Sequence, residues 1–377
     1  MKKNICLLFG GKSCEHDISI ITAMQIYNNL DEYLYNIYPI YVQKNGKMSY
    51  IKNMADYDFA NCKEDKKNVV SFIVGDNNLY KLSFGKFKKW IEIDEEIIAM
   101  HGKNGEDGTM SALMNLCNIP HTSSDMIPSG ICMDKDVFKR MLKSYDVPVV
   151  EGVEIRDKEF FENTESVLNK VEKELGFPVI VKPCNLGSSI GIKICHKRHD
   201  LANCIEFALK FDKKVLIEEF LDEIKEINVA VARFENEIVV SKLEQPMTKD
   251  DILSFENKYL SGGQKGGEFL KKKTEPKLAK KIKTEIVGIA KTVYEKLNFA
   301  GVVRFDFLID KKTNNVFLNE ANSIPGSFAN YLFDMPFKEQ LNLHIKQGFY
   351  DFQKRESLIN SFESSVLSGV KFNKFNK

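Results

Sequence analysis

The sequence contains no apolar run that approaches the roughly 20 residues needed for a membrane-spanning helix. The apolar stretch Ile5–Phe9 is too short for the hydrophobic region of a signal peptide, and it runs directly into two glycines. The sequence also has no excess of charge of either sign, because it contains 54 basic and 53 acidic residues and its net charge is only +1. No overall field therefore attracts nucleic acid or an anionic membrane. These absences predict a cytoplasmic protein with neither kind of partner.

Eight cysteines are present, but no two form a CxxC pair and none has a histidine at metal-ligand spacing. Without an export signal they are expected to be reduced thiols, most of them buried. The sequence also lacks internal repeats and low-complexity tracts. Its 377 residues, 43% of them hydrophobic, are enough for two or three domains with sizeable cores.

The first 128 residues alternate between strand and helix patterns and are predicted to form the first domain. Strands are predicted at 4–9, 36–42 and 96–100. A helix with Ile18, Ile21 and Met24 on one face is predicted after the first strand. This alternation indicates a parallel α/β sheet whose functional loops lie at the carboxyl ends of the strands.

Two further units are predicted at 129–220 and 221–350, followed by a tail over 351–377. In the third unit we expect an antiparallel hairpin turned at Glu235–Asn236 and a helix at 278–297, where apolar residues recur every three or four positions. Residues 248–273 are polar and rich in glycine. So long a loop is unusual inside a compact domain unless it is a lid, which is the function we predict for it.

Two segments near the C-terminus place polar side chains along otherwise apolar strands. Because side chains alternate along a strand, Arg304 shares a face with Asp306, and Glu320 shares a face with Asn322. If the strands are neighbours, three oxygen ligands converge beside an arginine, and such a set suits Mg²⁺ that bridges nucleotide phosphates. The alternative is a structural ion pair between Arg304 and a carboxylate.

Lys182 ends an apolar strand and is followed by the Gly187–Ser189 loop. A lysine supplies a point charge, and a flexible glycine loop turns backbone N–H groups towards anions. The spacing is not that of a Walker loop, so an ordinary turn stays open as the alternative. Lys135 alone would be interpreted as a surface lysine.

Three glutamates have a functional and an ordinary interpretation. Glu218 and Glu226 could accept hydrogen bonds from an adenosine, but exposed glutamates are common. Glu15 falls in the first turn of a predicted helix, where the helix dipole favours a carboxylate whether or not it has a further role.

Taken in order, these segments resemble the D-alanine–D-alanine ligase family of the ATP-grasp superfamily. The matching motifs are GGKSCEHDIS (10–19), HG and GEDGT (101–109), MDK (133–135), KP and GSSIG (182–191), KYL (258–260), and RFD, EAN and PG (304–326). The resemblance implies an α/β ATP-grasp fold behind an N-terminal parallel α/β domain. It also implies an ATP-dependent ligase that makes the peptidoglycan-precursor dipeptide from D-alanine through a D-alanyl-phosphate, releasing ADP and phosphate.

The resemblance further implies a role for each site residue. Glu15 would orient the ammonium group of the first D-alanine and be linked through Ser188 to Tyr259 on the lid. Arg304 and the Gly326 N–H would stabilise the oxyanion of a tetrahedral intermediate. The implied ATP-binding residues are Lys135, Lys182, Ser189, Glu218 and Glu226. The implied metal ligands are Asp306, Glu320 and Asn322, which would bind two Mg²⁺ ions or, alternatively, Mn²⁺. The implied substrate-binding residues are His101, Lys258, Ser327 and Tyr331. A homodimer is compatible with the resemblance.

One position departs from the family pattern. Where a serine after the Pro-Gly pair is expected to help bind the carboxylate of the second substrate, this chain has Tyr331. A D-alanine–D-serine ligase therefore stays open, whereas Tyr259 in place of phenylalanine favours an amine acceptor over a hydroxy acid. A non-catalytic ATP-binding module should have lost a metal ligand or Lys182. A carboxylase or purine-synthesis ligase should not have the segments around Glu15 and His101.

Overall fold

The structure is a computed structural model that describes residues 2–59, 66–246 and 273–359. Its strands are β1 (Lys3–Gly10), β2 (Tyr35–Val42), β3 (Met48–Tyr50), β4 (Val69–Ile73), β5 (Asp76–Ser83), β6 (Lys86–Glu92), β7 (Glu95–Ile98), β8 (Gly152–Arg156), β9 (Val179–Pro183), β10 (Lys193–Cys195), β11 (Lys214–Glu219), β12 (Ile224–Phe234), β13 (Glu237–Val240), β14 (Glu244–Gln245), β15 (Lys273–Thr274), β16 (Val302–Asp310) and β17 (Val316–Asn322). Its helices are α1 (His16–Asn29), α2 (Thr109–Leu116), α3 (Met126–Met133), α4 (Lys135–Ser144), α5 (Asp157–Glu162), α6 (Thr164–Leu175), α7 (Arg198–Leu209), α8 (Lys280–Lys296) and α9 (Phe337–Glu356), and a 3₁₀ turn spans Gly326–Leu332.

The first sheet has the strand order β6-β5-β4-β3-β2-β1-β7. The predicted strands 4–9, 36–42 and 96–100 correspond to β1, β2 and β7, and these three pair in parallel. The remaining pairs, from β2 to β6, are antiparallel, so the expectation of a parallel sheet is correct for one part of a mixed sheet. Connection length accounts for most of this, since a helix joins β1 to β2, whereas the connections β2–β3, β4–β5 and β5–β6 are short turns that permit only antiparallel neighbours.

Helix α1 lies on this sheet with a face that differs slightly from the predicted one. Ile18, Ala23 and Ile26 are buried, whereas Ile21, which the sequence pattern predicts on the apolar face, is half exposed. Ala23 and Ile26 belong to the same core as the β1 residues Ile5–Phe9, all of which are fully buried.

The second sheet has the order β10-β9-β11-β8 and is antiparallel throughout. Its inward side chains form a compact core with helices α5, α6 and α7, to which Phe160, Val171, Ile205 and Val181 contribute. This sheet carries Lys182 at the end of β9 and Glu218 on β11.

The third sheet has the order β15-β14-β12-β16-β17, with β13 paired to β12 as well. The predicted hairpin is confirmed as β12 and β13, and its turn residues Glu235 and Asn236 adopt left-handed backbone angles with φ of 50° and 68°. The predicted helix at 278–297 is confirmed as α8. Both faces of the sheet are buried, because residues of β12 contribute alternately to the core around the first sheet and to the core under α8.

The domain boundaries at 128, 220 and 350 stay a prediction, and the predicted lid at 248–273 lies almost entirely outside the described residues. No described helix combines the length and apolar character that crossing a membrane requires. Every described cysteine is a free thiol, and all of these are buried except Cys14 and Cys204. Cys62 lies outside the described residues.

Candidate active site

A cavity lies between the second and third sheets, and most residues of the predicted nucleotide site line it. Its walls come from β9 and β11 on one side and from β12, β16 and β17 on the other. The predicted site residues that line it are Lys135, Lys182, Ser189, Glu218, Glu226, Asp306 and Glu320. Apolar side chains, among them Ile180 and Leu308, complete the lining. A cavity with apolar walls and cationic groups suits a ligand with a flat ring and an anionic tail.

Two lysines meet one carboxylate on the wall formed by the second sheet. Lys182 Nζ lies 2.5 Å from Glu218 Oε2, and Lys139 on α4 is paired with Glu218 Oε1. Glu218 is only 1% exposed. Lys182 Nζ also lies 3.4 Å from Asn319 Oδ1. The side chain of Glu218, one of the two glutamates that the sequence offers for adenosine, is therefore part of a buried ionic triad.

The predicted metal ligands lie together on β16 and β17. Asp306 is the direct cross-strand partner of Glu320, and Arg304 is the partner of Asn322, so the neighbouring-strand condition is met. A register shift after Asp306 brings Asn319 to the cavity beside Glu320. Such irregularities turn extra side chains towards a site.

Arg304 forms the ion pair that was the alternative interpretation of this segment. Its Nε and one terminal nitrogen lie 2.6 and 2.7 Å from the two oxygens of Asp306, and Asn322 Nδ2 lies 3.3 Å from Asp306 Oδ2. Two carboxylates and an amide oxygen are hard ligands that fit a divalent cation. Because an ionised carboxylate has about four lone-pair sites, the bonds from Arg304 leave acceptor positions on Asp306 for an ion. The residues therefore fit Mg²⁺ or Mn²⁺. No three His, Cys, Asp or Glu side chains cluster as metal ligands within the described part of the chain, so the set depends on the Asn322 amide.

Glu15 lies buried where three loops meet. It is 8% exposed, and the Ser188 hydroxyl donates a hydrogen bond to its Oε1. Burial raises the pKa of Glu15, and the nearby Glu106 carboxylate raises it further, whereas the hydrogen bond from Ser188 opposes the shift. A carboxylate in this environment gains most from a cationic ligand, because a positive charge restores its ionised form.

Glycines allow two of these loops to approach Glu15. A Cβ at Gly187 would lie 3.1 Å from each Glu15 carboxylate oxygen, and one at Gly102 would lie 2.9 Å from Oε2. Next to Gly187, Ser188 and Ser189 hold left-handed backbone angles with φ of 55° and 57°. Non-glycine residues rarely adopt this region, and such strain is typical of functional loops.

His101 belongs to the same cluster and is tied on both sides of its ring. Its Nε2 lies 2.8 Å from the Thr22 hydroxyl, and its Nδ1 lies 3.3 Å from Glu106 Oε1. Thr22 Oγ1 in turn accepts a hydrogen bond of 3.3 Å from the backbone N–H of Ser327. The Ser327 hydroxyl donates to Gln25 on α1. These bonds connect helix α1 and the loop after β7 to the 3₁₀ turn.

The 3₁₀ turn begins at Gly326 and contains Tyr331. Ser327, Phe328 and Ala329 have φ near 50°, an uncommon run of left-handed residues that buried packing and the Gln340 amide, 2.9 Å from the Phe328 carbonyl, hold in place. The ring of Tyr331 packs against the core around the first sheet. Its hydroxyl accepts a hydrogen bond from Arg304, and burial raises the pKa of Tyr331.

The structure thus brings the described members of the predicted site into two adjoining groups. Lys135 and Gly187 line both the main cavity and a smaller pocket that contains Glu106 and Asn322. Lys258 and Tyr259 lie outside the described residues. Sequence reasoning missed Lys139, Glu106 and Asn319. A signal for Lys139 was present, because it follows Lys135 by four positions and so shares its helix face.

Two family profiles match most of the chain. The profile described as D-ala D-ala ligase N-terminus matches residues 4–124, and that described as D-ala D-ala ligase C-terminus matches residues 141–347. The D-alanine–D-alanine ligase of Thermosipho africanus (strain TCF52B) is 36% identical over 371 residues, 97% of this chain and 98% of that protein. The enzyme of the same name from Clostridium novyi (strain NT) is 33% identical over 86% of this chain and 90% of its own.

Solved structures of similar fold include ligases of the same name. The D-alanine–D-alanine ligase of Helicobacter pylori superposes with a TM-score of 0.75 at 29% identity, covering 91% of this chain and 98% of that one. The VanG D-Ala:D-Ser ligase of Enterococcus faecalis superposes with a TM-score of 0.76 at 23% identity, covering 92% of this chain and all of that one. At that identity the second similarity shows the fold alone.

Proposed function

Because the chain belongs to the D-alanine–D-alanine ligase family and is an ATP-dependent ligase of the ATP-grasp fold, we propose that it joins two D-alanine molecules through a D-alanyl-phosphate. The products are the dipeptide used for the cell wall, ADP and phosphate. The observation that carries the proposal is the adjacency of the two groups of residues. Gly187 lines the cavity that holds Lys135 and Lys182, and it also lies against Glu15.

In the first step, a carboxylate oxygen of D-alanine forms a bond to the γ-phosphorus of ATP, and the bond from that phosphorus to the bridging oxygen breaks. Lys135 and Lys182 hold the phosphates, the backbone near Glu218 binds the adenine, and Glu226 binds the ribose. Glu15 pairs with the ammonium of the amino acid. The buried position of Glu15 supports this role, since an unpaired buried carboxylate is costly and a cationic substrate removes the cost.

In the second step, the amine of the other D-alanine attacks the acyl carbon and phosphate leaves. Negative charge develops on the former carbonyl oxygen, and Arg304 with the Gly326 N–H stabilises it. The contacts of Arg304 support this role, because its bidentate bond to Asp306 fixes the guanidinium plane before the substrate arrives. An acyl-phosphate hydrolyses readily, so the segment 248–273, which contains Lys258 and Tyr259, would exclude water as a lid.

Asp306, Glu320 and Asn322 would hold two Mg²⁺ ions, with Mn²⁺ as a substitute. When bound, such ions neutralise phosphate charge and so favour transfer of the γ-phosphoryl group. Lys182 contributes from the opposite wall of the same cavity.

We propose D-alanine as the second substrate, with D-serine as the alternative. Lys258 would face the carboxylate of the acceptor. The position of Tyr331 supports D-alanine, because its hydroxyl is engaged by Arg304 and its ring packs in the core. No other described hydroxyl at this turn is placed to bind the side chain of a D-serine acceptor, since the Ser327 hydroxyl donates to Gln25.

An ADP-release assay tests the proposal. The purified protein is supplied with ATP, Mg²⁺ and, in turn, D-alanine, D-serine, D-lactate and the L-forms, alone and in pairs with D-alanine. We expect ADP release and a dipeptide with D-alanine alone. Release only when D-serine is added with D-alanine would support the alternative, and no release with any amino acid would contradict both.

A further inference from the structure

Lys139 is a buried cation that the reaction described above does not use. It lies one helical turn after Lys135 on α4, and it is only 5% exposed. It does not line the cavity, unlike Lys135 and Lys182. Its ammonium is paired with Glu218, which separates it from the nucleotide site.

The three side chains of this triad have a net charge of +1 when all are ionised. Glu218 uses one carboxylate oxygen for Lys139 and the other for Lys182. Because both ammonium groups bond the same carboxylate, Lys139 and Lys182 are close enough for their charges to interact. Without Lys139, the pair formed by Glu218 and Lys182 would have no net charge. In a poorly solvated site, a difference of one unit of net charge has a large effect on the interaction with a nearby anion.

We propose that Lys139 is a positioning residue that shares the Glu218 carboxylate with Lys182 and thereby keeps positive charge on Lys182 available to the phosphates of ATP. This inference rests on the nucleotide site proposed above. It predicts that the affinity for phosphates follows the net charge of the triad, although Lys139 itself does not contact the nucleotide.

The first test removes the charge of Lys139 and keeps a side chain of similar length. Lys139→Met should weaken binding of the β,γ-imido analogue of ATP, measured by calorimetry with Mg²⁺, by about tenfold to a hundredfold, the equivalent of a lost charge-assisted interaction of ~1.5–3 kcal/mol. Binding of adenosine, which has no phosphate, should change by less than about threefold. Lys143→Met is the matched control, because Lys143 lies on the same helix in an exposed pair with Glu151. It should change neither affinity.

The second test restores the net charge without restoring the lysine. Lys139→Met combined with Glu218→Gln leaves Lys182 as the only charge of the triad, so binding of the ATP analogue should recover relative to adenosine. This variant also leaves no unpaired carboxylate, so it keeps the question open to measurement if the single variant does not fold. Equal losses for adenosine and the ATP analogue, or no recovery in the double variant, would overturn the inference.

A third variant separates this inference from the nucleotide site itself. Lys182→Met should abolish binding of the ATP analogue if the proposed site is correct. If it does so while Lys139→Met has no effect, only the role of Lys139 is wrong. If Lys182→Met leaves binding intact, the proposed nucleotide site is wrong.

Discussion

Asp306 accepts hydrogen bonds from Arg304 at both carboxylate oxygens and still has lone pairs for a cation. The ion pair and the metal site, which the sequence offered as alternatives, are therefore compatible. Arg304 orients the carboxylate, and Glu320 stands directly across the ladder from it. A guanidinium beside a metal site also provides charge for an oxyanion that forms nearby.

The ligands on β17 should differ in importance. Glu320→Ala removes a charge, so we expect turnover to fall on the order of a hundredfold or more. Asn322→Ala removes an uncharged ligand and should cost less, with the fold intact by circular dichroism. ADP release at saturating Mg²⁺ measures both. Wild-type turnover in Asn322→Ala would remove this residue from the site.

Tyr331 acts through Arg304 in this structure. Tyr331→Phe deletes the hydroxyl and keeps the buried ring, so it removes one partner of the guanidinium. A hydrogen bond to a charged group is worth ~1.5–3 kcal/mol, so we expect kcat to fall about tenfold or more with either acceptor. The KM of each acceptor should not change. A loss confined to D-serine would instead show that the phenol contacts the acceptor and would reverse our preference for D-alanine.

At the scale of loops, the Gly187 loop can lie close to Glu15 because glycine has no side chain. Gly187→Ala would place a methyl group 3.1 Å from both carboxylate oxygens, and Glu15 would have to move by a few tenths of an ångström. Glu15 is proposed to bind the ammonium of the first D-alanine. The KM for that D-alanine should therefore rise by about tenfold in the variant, which corresponds to a loss of ~1.4 kcal/mol of binding free energy.

Gly288→Ala is the matched control for that substitution. Gly288 lies in α8, where an added Cβ would have nothing within 4 Å, and alanine there should stabilise the helix by ~0.5–1 kcal/mol. Kinetics with D-alanine should be unchanged in this control. An unchanged KM in Gly187→Ala would show that the loop does not constrain Glu15.

The elements most open to prediction were those with strong periodicity. The helix α8 and the hairpin β12–β13 follow directly from apolar spacing and turn residues. The antiparallel strands β3–β6 were not predicted, because β6 is largely exposed and its Lys-rich sequence carries little apolar alternation. The helical spacing from Lys135 places Lys139 on the same face of α4, but no local pattern reveals that its ammonium is paired with a carboxylate 79 positions away.

At the scale of the whole molecule, the third sheet connects two cores. Ala230, Ala232 and Phe234 belong to the core of the first sheet, and the alternate residues Val229 and Val231 belong to the core under α8. Glu226, Asp306 and Glu320 lie on strands of this sheet but line the cavity and are not members of either core, so substitutions there should change activity more than folding.

Four cysteines contribute to the cores of the protein as thiols, namely Cys6, Cys117, Cys132 and Cys195, and every described cysteine is free of a disulfide. Burial raises the pKa of Cys132 and of Cys184 to about 12, so both are protonated and unreactive at neutral pH. Adding a reducing agent should therefore change neither the melting temperature nor the rate of ADP release. A loss of activity with reductant would contradict a disulfide-free protein.

Two adjacent carboxyl groups on β7 should make the stability of the molecule depend on pH. Glu95 and Glu96 are both fully buried, and neither carboxyl group has a hydrogen-bond partner among residues 2–59, 66–246 and 273–359. Burial raises the pKa of each group well above its usual value. A folded pKa above the unfolded one means that the folded state binds more protons. The stability each group contributes is therefore complete below the unfolded pKa of about 4.3 and is lost as the pH rises through the folded pKa.

Glu96→Gln removes one of these titrations while keeping the shape of the side chain. Between the two pKa values, each group lowers the free energy of unfolding by up to ~1.4 kcal/mol per pH unit. Urea unfolding at pH 4 should therefore give similar stabilities for Glu96→Gln and the wild type, and the variant should become the more stable of the two as the pH is raised to 8. Glu32→Gln, at an exposed position, is the control and should follow the wild-type curve. Parallel curves for Glu96→Gln and the wild type over this range would show that the buried carboxyl is already ionised in the folded protein.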